Sequence, residues 1–291
     1  MTTAHGSYYL PEPSRWPIIT STGLFLLALG AVLWINSMAM GPWLVAVGAA
    51  IAVYVLFGWF GQVIGESEAG TFNDQVDRSF RWGMGWFIVS EVMFFAAFFG
   101  ALFYVRIFAG PWLGAEDMLW PGFDFTWPST GPKGPTVISP DTVAAPGQMS
   151  PMGAWGIPAI NTLILLSSGA TVTWAHWGLL KDNRAQLVTG LFLTVALGLT
   201  FLGLQAFEYI HAYSELGLTL KAGVYGATFF LLTGFHGFHV TIGTIMLITI
   251  FARSLKGHFR PDHHFGFEGV AWYWHFVDVV WLGLFVFVYW L

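Results

Sequence analysis

Between Arg15 and Glu66 the chain has no Asp, Glu, Lys or Arg, and comparably apolar blocks recur down to its end. Runs of about eighteen or more apolar residues are long enough to cross a bilayer as helices. Cutting the chain at charges, prolines and polar clusters gives seven such blocks, at about 16–35, 42–64, 80–108, 157–180, 187–210, 223–252 and 267–291. All are expected to be helical, since a span in hydrocarbon must satisfy its own backbone hydrogen bonds. A membrane barrel would need many short alternating strands, and these blocks are roughly two to three times too long for that. The pattern predicts an all-α, polytopic membrane protein of seven transmembrane helices.

Charge orients the spans. Placing the N-terminus inside puts Arg15, Arg78, Arg81, Lys181, Arg184, Arg253, Lys256 and Arg260 on the inner side, and only Arg106, Lys133 and Lys221 on the other. Basic residues concentrate on the inner side of membrane proteins, so the N-terminus is expected inside and the C-terminus outside. The organisation that follows is an inner N-terminal segment at 1–15, helices one and two at 16–64, an inner loop at 65–79, and helices three to seven at 80–291. The last region includes a long outer loop at 109–156 with eight prolines, which excludes regular helix or a central strand there. A loop of that length is either an ordered lid or a docking segment for a partner. Trp16, Trp43, Trp59, Trp82, Trp281 and Trp290 lie near span ends and fit aromatic belts. Gly23, Gly30, Gly48, Gly198 and Gly243 would let helices approach closely.

Composition narrows the chemistry. Only 9% of the 291 residues are charged, against roughly 25% in a soluble domain. There is no cysteine, which removes disulfides, thiolate metal sites and iron–sulfur clusters. A net charge of −5 without a basic tract argues against nucleic acid. Nothing resembles a nucleotide-binding loop, a nucleophile elbow or a zinc-protease helix.

An ionisable residue inside a span is a candidate functional site, because it is costly to keep there. Glu91 is the clearest, near the middle of the third block among Val89, Val92, Met93, Phe94 and Phe95. A packing role would have it hydrogen-bonded, with Ser90 or Ser167 as partners. His275 and Asp278 share a helical face at i,i+3, and so do Glu208 and His211. Both are expected to be structural pairs. His176, His211, His236, His239 and His275 are the imidazoles that haem or copper could use. On the inner side His258, His263 and His264 stand beside Asp262. They could bind zinc, but no cysteine or ordered fourth ligand accompanies them. With His5 they are candidates for proton exchange at the inner surface, since histidine titrates near neutral pH.

Several long stretches resemble the cytochrome c oxidase subunit III family. They are HFGFEGVAWYWHFVDVVWLGLFVFVYW from His264, GVYGATFFLLTGFHGFHVTIGTIML from Gly223, LQAFEY from Leu204, WAHWGLLKDNR from Trp174 and RWGMGWFIVSEVMFF from Arg81. With the first two spans, the resemblance covers nearly the whole chain. It implies two groups of helices, one to two and three to seven, separated by a cleft filled with phospholipid. It implies a chain without haem or copper of its own, those belonging to partner subunits. The expected partners are the catalytic subunit I in direct contact, subunit II and any small subunit of an aa3-type oxidase, together with structural phospholipids.

In that family the third subunit is non-catalytic. It supports proton uptake and resistance to turnover inactivation while the complex reduces oxygen and pumps protons. Glu91 matches the family's intramembrane carboxylate. Trp59, Arg81, Trp82, His236 and Arg253 are the positions expected to contact lipid headgroups. Two departures stand out: the loop GESEAGTFND is more acidic than in mitochondrial members, and Trp177 stands where relatives can have a second histidine. The outer loop, longer than in mitochondrial relatives, implies a bacterial inner-membrane protein. Two rival readings are a self-sufficient electron carrier with haem at His236, His275 or His176, and a secondary transporter.

Overall fold

The computed structural model describes residues 13–115 and 118–291. Its helices are α1 Trp16–Ile35, α2 Gly41–Glu68, α3 Asp74–Tyr104, α4 Gly110–Ala115, α5 Ile157–Leu180, α6 Arg184–Ser214, α7 Gly223–Lys256 and α8 Phe265–Leu284. Single π-helical turns, Val105–Ala109 and Phe285–Trp290, join α3 to α4 and finish α8. Among the described residues, seven helical runs are long and apolar enough to cross a membrane, the third being all of Asp74–Ala115.

The third span departs from the sequence reading at both ends. It was expected to stop near residue 108, ahead of Pro111, yet it continues to Ala115. The widened turn just before Pro111 explains this, because a π turn relaxes the backbone spacing where proline removes a donor and crowds the preceding carbonyl. At its start, the Asn73 side chain accepts from the amides of Gln75 and Val76 at 3.1 and 3.0 Å. Asp74 and Asp77 occupy the first turn, where the helix dipole favours negative charge. This cap sets the helix start six residues before the apolar block begins.

The chain divides into two compact units, one ending at Trp82 and the other spanning Gly83–Leu291. In the first, α1 and α2 meet along small residues: Gly23 faces Ile51, Gly30 faces Val45, and Gly48 faces the Leu27 backbone. Small residues matter here because lipid tails are as apolar as the helices, so association depends on close packing. Trp16 closes the same pair by donating its indole N–H to Gln62 Oε1 at 2.7 Å.

In the second unit, α5–α8 surround a core built on aromatic side chains with polar handles. Trp274 is fully buried, and its indole N–H donates to Ser168 Oγ on α5 at 2.8 Å. Its ring lies against Gly243 of α7 and Gly198 of α6, where an added Cβ would stand 2.8 and 3.0 Å from ring carbons. Trp281 was expected in the interfacial belt but is buried, donating to Thr162 Oγ1 at 2.9 Å. A polar partner on the facing helix lets the indole leave the interface.

The outer loop is an ordered layer in its described part. Dipeptides β1 Thr136–Val137 and β2 Gln148–Met149 pair in parallel, and Met149 and Ser150 are buried. Two backbone bonds pin it to the α6–α7 connection, Ala144 N to Glu215 O at 2.8 Å and Ser150 N to Leu216 O at 2.9 Å, and a third, Tyr225 N to Ser129 O at 3.0 Å, ties it to the first turn of α7.

Candidate functional site

Glu91 is held by α7. Its Oε2 lies 2.8 Å from His239 Nε2, and His239 Nδ1 lies 2.6 Å from the Phe235 carbonyl oxygen. A carbonyl only accepts, so Nδ1 carries the proton and donates to it. The Nε2–Oε2 contact must then hold one further proton, on the carboxyl or on the ring. Either arrangement is neutral overall, and that lowers the cost of keeping two ionisable groups in hydrocarbon. Phe94 and Phe95 pack on the imidazole at ring separations of 5.8 and 5.0 Å, shielding the pair. Of the two serines expected as partners, Ser90 donates instead to the Phe87 carbonyl at 2.6 Å.

Glu208 does not take His211 as its partner. Its buried Oε1 accepts from the Tyr289 hydroxyl at 2.6 Å, joining α6 to the end of α8, while His211 Nδ1 stands 3.4 Å from Glu215 Oε2. Glu208 faces inward and His211 lies toward the exposed Glu215, so sharing a helical side did not bring them together. His275 Nδ1 lies 3.9 Å from Asp278 Oδ2, and its Nε2 lies 3.1 Å from Thr173 Oγ1 on α5. Asp278 itself is buried against Gly169, where any Cβ would collide with Oδ2.

His236 cannot contact a headgroup: it is 1% exposed, between the rings of Phe201 and Trp281. Among the other expected lipid contacts, Trp82 is exposed and Trp59 is at the edge of exposure. Arg81 is half-buried with its Nε 2.7 Å from Asp77 Oδ2, and Arg253 stacks over Phe259 at 4.5 Å. Of the proton-exchange candidates, His5 lies outside the described residues. Asp262 and His263 are exposed and His258 is half-buried. His264 is a correction: it is buried, and its ring faces His176 at 5.3 Å rather than water. The imidazoles proposed for haem are scattered, His236 in the core, His275 beside α5, and His176 with His264.

Local sequence spacing missed His239, Tyr289 and His176 as partners, because each contact joins residues far apart in the chain. Local signals were the i,i+4 spacings of His264 with Glu268, whose Nε2 and Oε1 stand 3.4 Å apart, and of His211 with Glu215.

These features define a helical integral membrane protein in which the intramembrane carboxyls of Glu91 and Glu208 are closed by partners on neighbouring helices. Comparison with known proteins carries this further. The family model described as cytochrome c oxidase subunit III matches residues 5–130 and 134–291. A cytochrome c oxidase subunit 3 of Marchantia polymorpha is 46% identical over 284 residues, covering 97% of this chain and 96% of the relative. That of Arabidopsis thaliana is 44% identical, covering 98% and 96%, and that of Hippopotamus amphibius 40%, covering 100% and 99%. The chain belongs to the cytochrome c oxidase subunit III family, a non-catalytic membrane subunit of the respiratory-chain oxidase. The bacterial inner-membrane expectation is overturned, because these relatives are mitochondrial proteins of plants and animals. It rested on the length of a surface loop, and such loops vary in length among relatives.

Proposed function

We propose that this chain stabilises the catalytic subunit of an aa3-type oxidase by direct packing, holds structural phospholipid, and supports proton uptake and resistance to turnover inactivation. The observation that supports this reading best is the lateral closure of Glu91 by His239 and of Glu208 by Tyr289. Such contacts clamp helix to helix, as a scaffold needs, and haem and copper are left to the partner subunits. A shallow apolar groove of about 350 Å³ on α7, lined by Phe230, Leu231, Gly234, Phe235 and Phe238, suits a lipid acyl chain. Trp59, Arg81, Trp82 and Arg253 remain the proposed headgroup contacts, and His258, His263 and Asp262 the proposed proton-exchange surface.

The test compares the purified oxidase with and without this chain. Its loss should slow turnover at high pH and shorten the number of turnovers before inactivation, while the haem spectrum stays the same. Equal rates and equal lifetimes would discard the proposal.

A further inference from the structure

We propose that His176, His264 and Glu268 form a site for a zinc ion, joining the end of α5 to the start of α8. The inference stands apart from the lipid and proton-uptake reading. His176 lies in the last two turns of α5, His264 is the residue before α8, and Glu268 is in the first turn of α8. His264 Nε2 is 3.4 Å from Glu268 Oε1, and His176 Nε2 is 3.8 Å from that same oxygen. One ligand atom from each residue lies within 4.8 Å of the other two. A tetrahedral zinc with bonds of about 2.0–2.2 Å holds its ligands about 3.3 Å apart. Small side-chain rotations close that gap.

The tautomer of His264 points the same way. Its Nδ1 donates to the Arg260 carbonyl at 3.1 Å, so in the neutral ring the lone pair is on Nε2. That ring is 8% exposed, and Nε2 makes no hydrogen bond. A proton alone would bridge Nε2 to the carboxylate, as at His239 and Glu91, but here a second imidazole nitrogen, His176 Nε2, faces the same Glu268 oxygen, and three converging donors fit a metal ion. Histidine ligands commonly carry this arrangement, the far nitrogen tied to a backbone carbonyl and the near one on the metal.

The donor set also selects the ion. Two imidazoles and one carboxylate suit zinc, whereas calcium and magnesium require oxygen ligands and more negative charge. Three protein ligands leave a fourth position for water, so the site would exchange its metal rather than lock it in.

The experiment uses the assembled oxidase containing this chain, stripped with a chelator and re-equilibrated with buffered zinc alone. Wild type should retain one zinc per complex more than His176→Ala or His264→Ala, whose affinity falls roughly tenfold or more. His263→Ala, altering the exposed neighbour, should bind as wild type does. Crystals of the wild-type complex should give an anomalous peak at the zinc edge among the three side chains. Equal zinc content in wild type and His264→Ala overturns the proposal. If the alanine variants fail to assemble, the wild-type anomalous map decides, and no peak at the triad overturns it.

Discussion

Trp274 is the side chain on which the packing of the second unit can be measured. Its ring fills the space between Gly198 and Gly243, and its indole N–H reaches Ser168. Replacing it with alanine removes the ring from a fully buried position that backbone on two helices already approaches closely. The cavity left by Trp274→Ala should cost about 3–5 kcal/mol. Trp274→Phe keeps most of the volume and removes the N–H. Ser168 Oγ still donates to the Leu165 carbonyl at 2.6 Å, so it is not stranded. The hydrogen bond's share of the cost of that change, read as the coupling between Trp274→Phe and Ser168→Ala, should be about 0.6 kcal/mol and no more than about 1.7, the range measured for hydrogen bonds between membrane helices. Ser168→Ala should cost about 1–3 kcal/mol, since it leaves a buried indole N–H without an acceptor. In a Trp274→Phe background the Ser168→Ala penalty should nearly vanish. The assay is an SDS titration of the purified complex, with folded chain scored by limited proteolysis. If Phe costs as much as Ala at position 274, ring volume is not what holds these helices. An undiminished Ser168→Ala penalty in the Phe background would show that the hydrogen bond contributes nothing.

Two further outcomes use the same titration. His239→Leu strands the Glu91 carboxyl and should lose about 1–3 kcal/mol, whereas His239→Gln keeps a donor and should recover most of it; equal losses would contradict the pairing. Asn183→Ala removes the side chain that accepts from the Gln186 amide at 3.1 Å and should cost about 1 kcal/mol. Faster hydrogen exchange confined to the first turn of α6 would mark the loss as a capping effect, and unchanged exchange there would contradict it.

The seven spans were legible because hydrocarbon imposes one requirement on every residue of a block, and the absence of charge reports it directly. Helix ends were less so: the Asn73 cap and the turn ahead of Pro111 move the third span's limits, and both depend on backbone geometry. The partners of the intramembrane groups were not legible. Glu91 and His239 are 148 positions apart, and Glu208 and Tyr289 are 81 apart. Periodicity places a residue on one side of its own helix and says nothing about which helix arrives opposite. His236 shows the same limit. Two glycines flank it, a pattern compatible with a lipid-facing ring, yet Trp281 and Phe201 cover it. The family resemblance supplied the oxidase subunit and its partners, which no spacing rule could have reached.

The hydrogen bonds that fasten the outer loop run forward along the chain: Ala144 and Ser150 wait for Glu215 and Leu216, which a ribosome delivers about 70 residues later. At roughly 5–20 residues per second, the loop emerges several seconds before α6 is complete. Its amides stay solvated throughout that interval. Closure of this surface therefore belongs to the late stage of insertion, and it reports that α5 and α6 have reached their places.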